Sequence, residues 1–341
     1  MTLRLAIVDP LTPVPYSGDR ESLAGLGGTE ATVVRVAERL APGVTVFQTG
    51  RVRSERVSGV AYAAFDPARA LPGAPEIILV INSWKVALRL RRAHPDARIA
   101  LWMHVFPGRH NRVMGPALAE AEIEIIGVSA SHARALRSFL HMPRPPITHV
   151  FNPISDDLRP DATRRDPNLL LFASSPHKGL DEVYRAFGQL RARLPSLRLA
   201  VADPGYLRWR VGLAPEGVEH LGRLDPSALV SWMRRALCLF YPQTRFAETF
   251  GLVIAEANAV GCPALLHAGL GANDEVASDP SQLIDARDPD AIAARVLAWR
   301  ATSPIVRARP EFRLSAVIEA WRSELSRPAP TRTSAPAEAG A

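Results

Sequence analysis

Two carboxylates eight positions apart, Glu248 and Glu256, bracket the run Thr249-Phe250-Gly251-Leu252. An apolar strand-like run, 236–241, precedes them, Leu252 to Ala259 reads as a helix, and Gly261-Cys262-Pro263 reads as its stop. Glu248 is therefore expected on the loop before a helix and Glu256 inside it. The helix start at Phe250-Gly251-Leu252 presents backbone N–H groups and the positive end of the helix dipole, which suits a phosphate. Gly251 lets an anion approach the backbone because it carries no Cβ. Two helical turns span roughly 11 Å, so one carboxylate can meet a sugar while the other meets a ribose. The plainer reading is a surface loop and helix with two solvated glutamates, since motif matches by spacing alone include false positives.

Three further segments carry candidate chemistry. In Leu171-Phe172-Ala173-Ser174-Ser175-Pro176-His177-Lys178-Gly179 a strand runs into two hydroxyls and a lysine. A lysine in a first helical turn is disfavoured by the dipole, and an anion beside it relieves this. His104, in Trp102-Met103-His104-Val105-Phe106-Pro107-Gly108, sits where a buried strand ends. Strand carboxyl ends form the ligand crevice of open α/β sheets. A structural histidine bonded to the loop backbone is the alternative for His104, and His110 is its neighbouring competitor. Gly25-Leu26-Gly27-Gly28-Thr29-Glu30 opens the first helix. It partly mimics a dinucleotide fingerprint, but that turn is tight. Here a long loop, 10–23, intervenes, and no acidic residue stands out about 20 positions on, so a dehydrogenase is disfavoured.

The Glu248 to Glu256 stretch resembles the Glu-x7-Glu signature of retaining glycosyltransferases with the GT-B fold, specifically family 4. Lys178-Gly179, the Gly27-Gly28-Thr29-Glu30 loop and His104 follow in that family's order. The resemblance covers roughly residues 1–325 and implies two Rossmann-like domains facing a cleft. It implies Glu248 and His104 as the catalytic pair at the transferred sugar. Gly27, Gly28, Ser174, Ser175, Lys178, Thr249, Phe250, Gly251, Leu252 and Glu256 are implied as donor-binding, Glu256 through the ribose. The family commonly has an arginine five residues before its Lys-Gly, and Ala173 stands there in this chain. Either serines replace part of the phosphate clamp or an arginine from elsewhere does. Residues 218–224 resemble the strand bordering the nucleotide base, and 269–275 a glycine-rich loop that closes the donor pocket.

The elements that must position these residues alternate strand and helix, which implies parallel sheets covered by helices. In the first half, strands are expected at 3–8, 44–49, 77–81, 99–103 and 123–128, and helices at 30–40 and 133–140. After the rigid connector 141–146 and a strand at 147–151, the polar stretch 156–168 reads as an interdomain hinge. The alternation restarts with strands at 169–173, 197–202, 218–221, 237–241 and 263–267 and helices at 179–194, 226–235 and 291–300. A last helix, 312–325, carries Trp321. The fold class is thus α/β, GT-B. An acceptor-side domain spans 1–153 and a nucleotide-sugar domain 154–310. The resemblance implies that a helix, 311–326, crosses back to the first domain, and a disordered tail is expected at 327–341.

Composition fits this class. The 341 residues are 47% hydrophobic and 22% charged, as in soluble globular proteins. No apolar run reaches the roughly 20 residues that span a bilayer, and the N-terminus is too short an apolar run for a secretory signal. A cytoplasmic location is expected. Cys238 and Cys262 read as buried free thiols, and Asp156-Asp157 as turn or capping chemistry. No metal and no cofactor beyond the nucleotide sugar is expected. The net charge of +7 favours phosphorylated or anionic partners. No nucleic-acid-binding motif accompanies it. The basic segment Trp84 to Arg92 could touch anionic lipid at the inner membrane face, although an ordinary surface helix explains it as well. The activity implied is transfer from a UDP- or GDP-linked sugar to a saccharide, lipid-linked or small-molecule acceptor. The alternative is a non-catalytic GT-B-like binding or scaffold protein.

Overall fold

The computed structural model describes residues 3–12, 14–19, 26–205 and 212–328. Most of the long loop after the first strand is among these, but Gly25 and most of the expected tail (329–341) lie outside them. The first domain runs β1 (Leu5–Asp9), α1 (Gly28–Leu40), β2 (Val44–Gln48), β3 (Glu55–Val57), β4 (Val60–Ala64), β5 (Ile77–Ile81), α2 (Trp84–Ala93) and β6 (Arg98–Trp102). A 3-10 turn (Arg109–Val113), α3 (Met114–Glu120), β7 (Glu124–Gly127), α4 (Ala130–Phe139) and β8 (Ile147–His149) complete it. Its sheet has the order β3-β4-β2-β1-β5-β6-β7-β8 and is parallel except for the β3–β4 edge pair. The small edge hairpin and α3 were not expected as elements, whereas α2 is the surface helix offered for Trp84 to Arg92.

The second domain runs β9 (Asp166–Ala173), a 3-10 turn (Pro176–Lys178), α5 (Leu180–Arg193), β10 (Arg198–Ala202), β11 (Val218–Gly222), α6 (Pro226–Arg235), β12 (Ala236–Tyr241) and α7 (Leu252–Ala259). Then come β13 (Ala264–His267), the four-residue α8 (Asn273–Val276), a 3-10 turn (Pro280–Gln282), β14 (Leu283–Ile284) and α9 (Pro289–Ala301). Its parallel sheet is ordered β11-β10-β9-β12-β13-β14. The central strands are apolar throughout, as doubly covered strands must be: β5 and β12 are buried at every position. The polar connector expected as the hinge is shorter than the sequence suggested, because β9 starts at Asp166 and pairs with Ala236 of β12.

Both sheets reverse direction of growth at their centres. In the first the chain leaves β1 for β2 and returns to β5. In the second it leaves β9 for β10 and returns to β12. Such switch points open a crevice at the strand carboxyl ends, so the loops after β1, β6, β9 and β12 are the ones placed to hold a ligand.

After the 3-10 turn Pro310–Phe312, α10 (Leu314–Ser326) packs on α1. Its buried stripe, Leu314, Val317, Ile318, Trp321, Glu324 and Leu325, follows helical spacing. Trp321 meets Trp102 of β6 edge-on, with ring centroids 4.7 Å apart. Arg98, at the start of β6, donates to Glu124 at 2.6 Å and to Glu324 at 2.8 Å. The terminal helix is therefore tied to the first domain's sheet by an ion-pair triad as well as by packing. Asp156 accepts from Ser315 N and Oγ at the start of α10, which is the capping role its sequence suggested. Cys238 and Cys262 are buried and free. Among the described residues no helix is long and apolar enough to cross a membrane.

Candidate active site

Lys178 and Glu248 leave the ends of β9 and β12, the two strands flanking the second domain's switch point. Lys178 Nζ donates to both Glu248 carboxylate oxygens, at 2.9 and 3.0 Å. It also lies 4.8 Å from the centroid of the Phe246 ring. Tyr241, the last residue of β12, donates its hydroxyl to Glu248 Oε1 at 3.0 Å. Glu248 is only 7% exposed. These donors satisfy a carboxylate whose burial would otherwise be costly. Tyr241 escaped the sequence analysis, although a polar tip at a strand's carboxyl end was the available signal.

The backbone holds Glu248 equally closely. Ala272 N donates to Glu248 O at 2.9 Å, and a Cβ on Gly271 would fall 2.4 Å from that oxygen. The glycine-rich loop 269–275 thus packs under the catalytic candidate. Gly251 caps α7 at φ +91°, a left-handed conformation that favours glycine. It lets the chain turn from the Glu248 loop into the helix, whose first N–H groups have no intrahelical partners. Ser175, in the turn after β9, is 1% exposed, and its Oγ has no hydrogen-bond partner. Ser174 is half-buried beside it.

The first domain meets this loop directly. Thr249 Oγ1 donates to His104 O at 2.8 Å, and Ser129 Oγ donates to Thr249 O at 2.6 Å. His104 N donates to Asn82 Oδ1 at 2.6 Å. The His104 ring lies 4.7 Å from Trp102 and is buried, and its Nε2 has no partner. Burial, and secondarily the nearby His132, push its pKa down to about 3. The imidazole is therefore neutral near pH 7. His110 lies on the exposed 3-10 turn instead.

Gly27 and Gly28 sit at the start of α1, and a Cβ on Gly28 would come 3.1 Å from Leu252 Cδ1. The first residues of α1 and α7 therefore lie in contact with one another. Glu256 does not reach Glu248's cluster: it pairs with Arg35 of α1 at 3.3 Å. Arg35 also donates to Pro153 O. Phe250 is 1% exposed and packs against Phe312 and Phe151, at 5.0 and 6.1 Å between centroids. Its side chain belongs to the interdomain core, and only its backbone remains for a ligand.

Glu275, from the glycine-rich loop, turns away from Glu248. Its carboxylate accepts from Ala130 N and Ser131 N at 2.9 and 2.7 Å, at the start of α4. Among the described residues no group of three or more His, Cys, Asp or Glu side chains could hold a metal ion.

Two parallel-sheet α/β domains, each with a central switch point, agree with the GT-B fold. Residues 156–309, most of the second domain, match the family described as Glycosyl transferases group 1. Solved structures agree on the fold. An apo structure of OtsA aligns with a TM-score of 0.61 at 14% identity, covering 96% of this chain and 100% of OtsA. AviGT4, a glycosyltransferase involved in avilamycin A biosynthesis, aligns with 0.59 at 15% identity, covering 94% of this chain and 96% of that one. The pneumococcal O-GlcNAc transferase GtfA, in complex with UDP and GlcNAc, aligns with 0.54 at 17% identity, covering 73% of this chain. This chain spans 56% of GtfA's length. At these identities the likeness is one of fold. No curated protein matches the chain.

Proposed function

We propose that the protein is a retaining glycosyltransferase that moves a sugar from a nucleotide diphosphate sugar, UDP- or GDP-linked, to an acceptor entering from the first domain. The observation that carries this reading is the Lys178–Glu248 pair at the switch point, beside the turn that holds the unpartnered Ser175 Oγ. A diphosphate at the start of α7 would gain Lys178, the Ser175 hydroxyl and the helix N–H groups as fixed donors. Donors aimed at developing charge are a large catalytic term. Lys178 would then turn from Glu248 to the leaving group, and Glu248 would be freed to orient the sugar near its anomeric carbon. His104 Nε2 is the first domain's hydrogen-bonding atom for that sugar. Glu256 meets the ribose through the oxygen that Arg35 leaves free. This chemistry calls for no metal.

The UDP in GtfA supports trying uridine nucleotides first. The test is thermal shift with UDP, GDP, ADP and nucleotide sugars, with and without a chelator, on wild type, Ser175→Ala and Lys178→Met. Stabilisation by one nucleotide class, insensitive to chelator and reduced in both variants, is expected. No shift with any of them would overturn the donor site. Ala173, where the family has an arginine, favours a second reading, a protein that binds a nucleotide sugar without turning it over. Donor hydrolysis or transfer separates the two.

A further inference from the structure

We propose that the face of the first domain formed by residues 105–113 and 139–144, beside the cleft, is a docking surface for an anionic lipid bilayer. Four large apolar side chains stand out here: Val105 is 48% exposed, Phe106 37%, Val113 53% and Met142 68%. They belong to one continuous surface. His141 N donates to Arg112 O at 3.2 Å. The Arg112 guanidinium lies 5.1 Å from the centroid of the Phe139 ring, and Phe106 meets His132 of α4 edge-on at 5.0 Å.

The two chain segments that form this face carry charge of a single sign, and the Glu275 carboxylate that reaches the start of α4 from the second domain is bound there by Ala130 N and Ser131 N. The segments 104–119 and 128–155 contain Arg109, Arg112, Arg134, Arg137 and Arg144 and no Asp or Glu. All five arginines are exposed, and among the described residues none of them forms an ion pair. Elsewhere on this surface arginines are commonly neutralised, as Arg51 is by Glu55 and Arg245 by Asp181 and Glu182. Arg134, Arg137 and Arg144 also donate to Ser131 Oγ, Ile147 O and Arg137 O, but exposed apolar side chains among cations that have no carboxylate partner suit a bilayer interface. The apolar groups enter the headgroup boundary and the cations meet anionic lipid. A soluble polyanion would use the arginines but gain nothing from Phe106 and Met142.

The structure moves this role away from the basic helix suggested by sequence. In α2, Arg91 donates to the carbonyls of Ala97, Ala121 and Glu122, and Arg89 to that of Pro67. Arg91 holds the loops beneath the helix. The new surface begins one residue after His104, so a bilayer docked there would lie at the acceptor side of the cleft. On the glycosyl-transfer reading, the acceptor is then a sugar or hydroxyl carried at a membrane surface.

Cosedimentation with phosphatidylcholine vesicles, with and without phosphatidylglycerol, tests the docking independently of donor chemistry. Binding is expected only with phosphatidylglycerol, and salt should weaken it. The triple change Arg109→Ser, Arg112→Ser, Arg144→Ser should reduce partitioning by about five-fold per arginine. The pair Phe106→Ser, Met142→Ser should reduce it as well. The control Arg89→Ser, Arg92→Ser should leave it unchanged. A thermal melt of each variant without ligand, matching that of wild type, shows that it is folded. Absence of binding to phosphatidylglycerol vesicles would overturn the proposal. So would binding that survives the Phe106, Met142 pair and is competed away by soluble polyphosphate, which would identify a polyanion site.

Discussion

Lys178 Nζ donates to both oxygens of Glu248, so the cation expected at the diphosphate and the carboxylate expected at the sugar neutralise one another without ligand. The lysine side chain is 22% exposed and the glutamate side chain 8%. Their union gives the Glu248 carboxylate a hydrogen-bonding partner for both oxygens in a nearly dry site. It also ties donor binding to exposure of the carboxylate, because a diphosphate that draws Lys178 away leaves Glu248 with Tyr241 alone among its side-chain donors described here.

Removing the lysine should therefore cost stability as well as donor affinity. Lys178→Met strands the Glu248 carboxylate, and breaking such a pair at this partial exposure costs about 2 kcal/mol. Adding Glu248→Gln should restore most of that loss, because a neutral amide is cheaper to bury. Urea denaturation of the single and double variants measures both. A double variant no more stable than Lys178→Met would show that the ion pair does not govern stability here.

The Arg35–Glu256 pair predicts a coupling across the cleft. Arg35 uses Glu256 Oε1, which leaves the second oxygen for a ribose hydroxyl. Glu256→Gln should weaken nucleotide binding about 10-fold, as expected for a lost hydrogen bond to a charged group. Arg35→Gln should cost less, and the double variant should bind like Glu256→Gln. Calorimetric titration of the four proteins gives the cycle. Additive losses would mean that Arg35 contacts the nucleotide itself, as a substitute for the arginine missing at Ala173.

Much of this arrangement was legible in the sequence because it depends on strand ends. Apolar runs marked β1, β5, β6, β9 and β12, and the residues just beyond their carboxyl ends are the ones that converge. Helix α6 matches its expected bounds, Pro226–Arg235, since proline and Asp225 mark its start. Partners supplied by the other domain were not legible. Nothing local to Arg35 points to Glu256, 221 positions away, or pairs Glu275 with Ala130. The packing of the Phe250 side chain was not legible for a similar reason, since the Phe151 and Phe312 rings that enclose it lie far away in sequence. The β3–β4 hairpin was missed because a short, half-exposed edge carries little apolar signal.

Acidification should loosen the protein through its two cleft histidines. Burial lowers His104 to about 3 and His132 to about 4, whereas an unfolded histidine titrates near 6.5. Between these values the unfolded chain binds protons that the native state refuses. Stability is thus whole above about pH 6.5 and falls on acidification, by about 2 kcal/mol per histidine at pH 5. Asp9 and Glu30, raised mainly by burial, act with the opposite sign, so a comparison between variants is needed. The stability of His104→Asn should fall less steeply from pH 7 to 5 than that of wild type. Parallel curves from urea denaturation would mean that His104 titrates normally.

Glu275 predicts how far the cleft stays closed. Its carboxylate takes two N–H groups at the start of α4, where the helix dipole adds to the hydrogen bonds. Ser129, which caps the same helix through His132 N, reaches Thr249 O, and Thr249 in turn bonds His104 O. The latch thus holds the loop bearing Glu248 against the strand end bearing His104. Glu275→Gln keeps the shape and removes the charge, which at a helix N-terminus is worth about 1 kcal/mol. That shifts an open-to-closed equilibrium roughly five-fold. Small-angle scattering should show a larger radius of gyration for the variant, and a donor substrate should be lost to water more often per transfer, because closure excludes water. Thr249→Val removes the hydroxyl contact to His104 while leaving the carboxylate in place, so it should raise hydrolysis with a smaller change in scattering. If Glu275→Gln left both the radius and the hydrolysis ratio unchanged, the contact would be a consequence of closure rather than a cause of it.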